Sequence, residues 1–230
     1  MRQAVILAGG QATRMRPYTD DRPKAMVEVA GAPILDHQLK WLASCDVRSV
    51  VLSVGYRADV IREHVGDGSG YGLDVAYAVE TEPLGRGGGL RYAASQLPHP
   101  EEGWFGMNGD VLCRFPVADL AAQHHRLKAT ATIALAPYRS NWGLAELEGD
   151  LVRGFVQSPL LPYWINAGVY AMSPEVVSLL PQKGDHEDST FPNLALAGKL
   201  GAFKIDGYWR GIDTVKDVKE ASAELLSGSV

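Results

Sequence analysis

The chain has 230 residues, 46% of them hydrophobic, enough to bury one sizeable core, and its net charge of −5 argues against nucleic acid, whose phosphates need a basic footprint. Cys45 and Cys113 are isolated and lack Cys-x-x-Cys spacing, which suits a reducing cytoplasm better than a disulfide framework. The chain opens on a core strand with no signal peptide, and no apolar run approaches the roughly 18 residues a membrane span needs. The expectation is a cytoplasmic protein with neither membrane nor nucleic acid as a partner.

Residues 4–8 are apolar and predict a short buried strand that ends at Gly9 and Gly10. A basic loop follows, with Arg14, Arg16 and Lys24. Paired glycines let backbone N–H groups approach a ligand that a Cβ would hold off, and three cations clustered in an acidic chain suit a polyphosphate. The plainer reading is a strand-to-helix turn with solvated arginines. Neither Gly-x-x-x-x-Gly-Lys-Ser/Thr nor Gly-x-Gly-x-x-Gly is present, so a P-loop NTPase and a Rossmann dehydrogenase are unsupported.

Residues 32–43 carry Ile34, Leu35, Leu39 and Leu42 at helical spacing, and residues 47–55 form a β-branched run that predicts a second strand. A short helix over 60–65 closes at Gly66, and residues 73–79 alternate as a third strand. That alternation predicts a parallel sheet with ligands at the carboxyl ends of its strands. Residues 85–89 then hold four glycines ahead of a helix expected over 91–97. They form either a flexible loop or one whose amides approach a flat or anionic ligand.

Residues 104–107 predict a fourth strand, ended by Asn108-Gly109-Asp110. An Asp at the carboxyl end of a core strand is well placed to hold Mg²⁺ with a substrate phosphate, although the same tripeptide also makes an ordinary turn. Residues 117–127 predict a helix on which His124 and His125, being adjacent, point to different faces; they cannot form an i, i+4 zinc pair and read as surface residues. A strand over 128–136 precedes a hairpin over 144–156 that turns at Glu148-Gly149-Asp150. Residues 165–170 suit a glycine-containing core strand, and 202–206 with 208–213 lead into a helix over 215–226. Thr214 is its expected N-cap, answered by Asp217.

The stretch Leu7-Ala8-Gly9-Gly10-Gln11-Ala12-Thr13-Arg14-Met15-Arg16-Pro17, with Thr19 and Pro23-Lys24, resembles the signature of the sugar-phosphate nucleotidyltransferases. It departs from that signature at Ala12, where the family has glycine. Glu80-Thr81-Glu82-Pro83-Leu84-Gly85 is similar to the family motif that wraps base and ribose, with Arg86 and Gly87 standing for Thr and Ala. Asn108-Gly109-Asp110 matches the metal-bearing segment, Asn166-Ala167-Gly168-Val169-Tyr170 the strand beside the sugar, and Glu187 the residue that meets a sugar hydroxyl. Gln157-Ser158-Pro159 stands where the family has Glu-Lys-Pro, so a charge-assisted phosphate contact is missing there. Trp209-Arg210-Gly211-Ile212-Asp213-Thr214 exchanges the Asp and Gly of the family's Trp-x-Asp-Ile-Gly-Thr. Positions two apart on a strand face the same side, so Asp213 is taken as the second metal ligand.

The resemblance implies an α/β fold, a Rossmann-like three-layer sandwich with a mixed, mostly parallel central sheet, in a single nucleotidyltransferase domain over 1–230 without a β-helical extension. It implies catalytic roles for Arg14, Lys24 and Asp110, and Mg²⁺ on Asp110 and Asp213. Nucleotide contacts fall to Leu7, Ala8, Gly9, Gly10, Thr13, Arg14, Glu80, Pro83, Gly85, Asn108 and Gly109, and sugar-phosphate contacts to Gly143, Asn166, Ala167, Gly168 and Glu187. The implied reaction joins an NTP to a sugar 1-phosphate and releases pyrophosphate without a catalytic base, with GTP and a mannose- or heptose-type sugar first in line, in a chain that can form a homodimer. Alternatives are a UTP- or dTTP-dependent enzyme, a CTP-dependent transferase to a phosphocholine- or phosphonate-like acceptor, and a non-catalytic nucleotide-sugar-binding regulatory subunit.

Overall fold

The computed structural model describes residues 1–10 and 15–228. Runs of Val, Ile, Leu and Ala form the inner strands, buried on both faces as a parallel sheet between helices requires. In the first half of the chain the strands are β1 (Gln3–Leu7), β2 (Glu28–Val29), β3 (Ala32–Pro33), β4 (Ser49–Val54), β5 (Asp74–Val79), β6 (Trp104–Asn108) and β7 (Val111–Arg114). The second half adds β8 (Ala131–Arg139), β9 (Leu144–Glu148), β10 (Leu151–Val156), β11 (Leu160–Met172), β12 (Leu200–Lys204) and β13 (Tyr208–Gly211). Between them run α1 (Ile34–Ser44), α2 (Ala58–Val65), α3 (Gly85–Ala94), α4 (Val117–Leu127), α5 (Val176–Leu179), α6 (Thr190–Leu196) and α7 (Val215–Leu226).

Seven strands make the central sheet in the order β12-β8-β11-β6-β1-β4-β5. The pairs β6-β1, β1-β4, β4-β5 and β12-β8 are parallel, while β11 runs antiparallel to both neighbours. On one face, Leu35, Leu39 and Leu42 of α1, Ile61 of α2 and Leu120 of α4 pack with Ala4, Ile6 and Leu52. On the other, Leu90 and Ala93 of α3, Val176 of α5 and Phe191 of α6 pack with Val5, Val51 and Tyr170. Each fully buried Leu or Ile contributes about 1.5–3 kcal/mol, so these two layers dominate the apolar driving force. A smaller core of Met15, Val29, Ile34, Leu112, Ile212 and Val218 ties α7 to β2 and β7.

Two expectations are corrected here. The glycine run is the first part of α3 and not a loop ahead of it, beginning at Gly85 with φ +77°. Glycine inside a helix costs about 1 kcal/mol relative to Ala. Tight packing overrides that cost, because a Cβ on Gly87 would lie 2.7 Å from the His186 nitrogen and one on Gly88 2.6 Å from the Gln182 oxygen. His124 is buried rather than on the surface; its ring nitrogens bond Thr132 Oγ1 at 2.9 Å and Ser173 Oγ at 3.0 Å, and burial pushes its pKa down to about 4. Only His125 of that pair is exposed.

Candidate active site

β1 and β6 lie side by side in parallel with Leu7 opposite Asn108, so both chains leave the sheet at the same carboxyl edge. The turn after β6 is held from two sides. Gly109 donates its N–H to Leu7 O at 2.9 Å, where a Cβ would sit 2.3 Å from that oxygen. From α1, Gln38 Nε2 donates to Asn108 O at 2.9 Å and to Val111 O at 2.8 Å, bracketing Asp110.

β7 then pairs antiparallel with β13, Val111 opposite Gly211, and Ile212 N donates to Asp110 O at 2.8 Å. That ladder carries Asp213 alongside Asp110 from the far end of the chain. The α7 capping box steadies it, since Asp217 Oδ2 accepts from Asp213 N at 3.1 Å and Thr214 N at 2.8 Å. Lys24 opens a short 3₁₀ turn over Lys24–Met26, and its Nζ donates to Asp110 Oδ2 at 2.8 Å and Asp213 Oδ1 at 2.9 Å.

One ammonium shared by two carboxylates leaves a net negative charge and an oxygen-only donor pair, already gathered around a cation. A hard divalent cation fits that donor set. Among the described residues the cluster of three metal-type ligands, His99, Glu101 and Glu102, is exposed and lies away from this edge of the sheet.

A cleft of about 760 Å³ opens beside the aspartates. Leu7, Ala8, Gly9, Gly10, Lys24, Glu80, Pro83, Gly85, Asn108, Gly109 and Asp110 all line it. Glu80 braces the loop as well, its carboxylate accepting from Ser53 Oγ at 2.7 Å and Leu84 N at 3.1 Å. A second cavity of about 640 Å³ is lined by Asn166, Glu187, Ile133 and Phe191, and shares Arg86 and Asn108 with the first. Gly168, at φ +70°, crosses Asn108 where a Cβ would lie 2.8 Å from Asn108 Nδ2. Ala167 is fully buried, and its carbonyl accepts from Trp209 Nε1 at 2.7 Å, so it faces the core. Gly143 packs against the Phe155 ring and lines neither cavity. Thr13 and Arg14 lie outside the described residues.

Sequence reasoning missed Gln38, whose signal was an amide in the apolar stripe of Leu35, Leu39 and Leu42. It also missed Arg86 and Asp185, which bond each other across the rim of the two cavities.

Residues 3–228 match the family model described as nucleotidyl transferase, and the chain belongs to that family. Among its relatives, the mannose-1-phosphate guanyltransferase of Yarrowia lipolytica is 36% identical over 98% of this chain and 64% of its own length. That of Saccharomyces cerevisiae is 35% identical over 99% of this chain and 64% of its own. This chain therefore spans less than two thirds of these relatives. Among solved structures, HddC from Yersinia pseudotuberculosis complexed with GMP-PN is similar at a TM-score of 0.77 and 26% identity, covering 98% of this chain and 100% of that one. No helix among the described residues is long and apolar enough to cross a membrane.

Proposed function

We propose that this chain is a sugar-1-phosphate guanylyltransferase, joining GTP to a mannose- or heptose-type 1-phosphate to give a GDP-sugar and pyrophosphate. The observation that carries the reading is the convergence of Lys24, Asp110 and Asp213 at the rim of the cleft next to β1. The guanyltransferase names of the relatives and the GMP-PN in HddC favour GTP over UTP, dTTP or CTP.

In the reaction a phosphate oxygen of the sugar 1-phosphate attacks the α-phosphorus of GTP, the bond from that phosphorus to the β-phosphate oxygen breaks, and pyrophosphate leaves. The nucleophile is already an anion, so no base is required. Positioning and charge neutralisation supply the rate. Asp110 and Asp213 would hold Mg²⁺, which when bound screens the charge on the phosphates. Lys24 brings a second positive charge to the same point, and Arg14 is assigned the departing pyrophosphate. Glu80, Pro83, Gly85, Asn108 and Gly109, with Leu7, Ala8, Gly9 and Gly10, form the nucleotide wall. Asn166, Gly168 and Glu187 face the sugar, with Ala167 supporting that wall from behind.

The free Cys45 and Cys113 suit a reducing cytoplasm, and we assign the chain a single catalytic domain that can pair as a homodimer. The test is pyrophosphate release from purified protein with Mg²⁺, offering five NTPs against a set of sugar 1-phosphates. GTP with mannose 1-phosphate or a close relative is the expected best pair, and silence across the whole matrix would overturn the reading.

A further inference from the structure

Among the described residues Arg86 is the one cation that lines both cavities, and its contacts reach from one to the other. Its backbone N donates to Asp185 Oδ1 at 2.9 Å, while Nε and Nη2 donate to Asp185 Oδ2 at 3.1 and 2.6 Å. The remaining arm of the fork, Nη1, pairs with Glu187 Oε2 at 2.6 Å. The other oxygen of Glu187, Oε1, accepts from Asn166 Nδ2 at 2.7 Å, and Asn166 in turn holds Tyr170 OH at 3.0 Å. Glu187 is therefore fixed from α3 on one side and from β11 on the other, with its carboxylate at the wall of the smaller cavity.

The backbone beneath this clamp is equally tied. Gly87 N and Gly88 N donate to Gly184 O at 2.9 and 3.2 Å, and Gly184 N returns a bond to Leu84 O at 2.7 Å. The glycine run thus brings α3 against the 182–187 segment closely enough for the short Arg86 fork to span two carboxylates. Without the guanidinium, Asp185 and Glu187 would carry like charges side by side, which pushes the freer carboxylate away. Arg86 also holds the Asp185 carboxyl below the usual carboxylate range through its hydrogen bond.

We infer that Arg86 is a positioning residue for the sugar half of the reaction: it holds the Glu187 carboxylate at the orientation that accepts a hydroxyl of the sugar 1-phosphate. The inference rests on the transferase reading above and adds to it a residue outside the Lys24–Asp110–Asp213 cluster. Lys at this position keeps the charge but loses the planar fork, and cannot bond both carboxylates at once in the same geometry.

The test is steady-state kinetics of pyrophosphate release with GTP, Mg²⁺ and mannose 1-phosphate for the wild type, Arg86→Thr, Arg86→Lys and Glu187→Gln, repeated with monodeoxy mannose 1-phosphates. Arg86→Thr is expected to raise KM for the sugar phosphate roughly 10- to 100-fold, the range of a charge-assisted hydrogen bond, with KM for GTP within about twofold. Arg86→Lys should recover part of that loss. The wild type should reject one monodeoxy sugar, and Arg86→Thr and Glu187→Gln should both lose that preference, with the double variant no worse than Glu187→Gln alone. A loss of thermal stability with unchanged sugar preference is what a purely structural role gives, and it would overturn the inference; so would equal rises in both KM values. Wild-type protein inactive on every sugar 1-phosphate removes the transferase reading itself and the inference with it, whereas an active wild type with an unchanged Arg86→Thr sinks the inference alone.

Discussion

Lys24 sits between Asp110 and Asp213, and Arg86 between Asp185 and Glu187, yet the two clusters differ in how cation and carboxylates are exposed. Lys24 is the most buried member of its cluster at 13% side-chain exposure, while Asp110 and Asp213 are open at 37% and 55%. Its ammonium makes one bond to each carboxylate, a point charge that a divalent cation can match or displace. Arg86 reverses the pattern: the cation is 45% exposed and the carboxylates 29% and 26%. Its fork bonds Asp185 through two side-chain nitrogens, so geometry and not charge alone is fixed. In the proposed function the first cluster meets phosphate and metal charge, and the second keeps a sugar-facing carboxylate still.

The sharpest way to break this contrast is to remove charge from the first cluster. Asp110→Asn should lower turnover by roughly 10²–10³-fold with GTP affinity, measured by calorimetry, nearly unchanged, and the more exposed Asp213→Asn should lower it less. Full turnover in Asp110→Asn would end the assignment of chemistry to that cluster.

Acid should strike the second cluster harder. His186 sits between Asp185 and Glu187 in sequence, is buried against Tyr170 and Phe191, and is pushed down to about 4 by burial, then by the Arg86 charge. Above pH 6.5 it is neutral in both the folded and unfolded chain; between 6.5 and 4 the unfolded chain takes up the proton first, so stability falls as pH falls. The loss reaches roughly 3 kcal/mol at the acid end, with a similar one from His124. Urea titrations at a series of pH values check this, and His186→Phe should flatten the slope by about half.

Gly87→Ala forces a Cβ to 2.7 Å from the His186 backbone nitrogen and should cost about 1–3 kcal/mol, with sugar KM rising before GTP KM. A smaller effect is expected for Lys24→Met. It leaves Asp110 and Asp213 without their shared ammonium, so added Mg²⁺ should raise Tm by about 2–4 °C more in the variant than in the wild type, reversed by chelator. The smallest is Lys183→Ala: its ion pair with Glu82 spans two side chains each 65% exposed, and the change in stability should stay within about 0.5 kcal/mol.

Much of the scaffold was legible because it is local. The helix over Val117–Leu127 has the predicted bounds, the hairpin turns at Gly149-Asp150, and the Thr214–Asp217 capping box forms as read, since periodicity and capping are settled within a few residues. The glycine run misled because its meaning depends on residues 181–186, nearly a hundred positions away. His124 misled because its partners come from outside its own helix, Thr132 from β8 and Ser173 from just beyond the end of β11.

From the order of its residues alone, this protein is committed to alternating strands and helices, to a glycine-rich exit from β1 and to an Asp at the end of β6, because apolar spacing and turn chemistry act at short range. Only the folded chain decided that Asp213 reaches Asp110 through the β7–β13 ladder, that Gln38 holds the turn between strands, and that Arg86 reaches Glu187. Those meetings join segments about 70 to 100 residues apart. They follow from how layers stack and strands register, which no local spacing encodes.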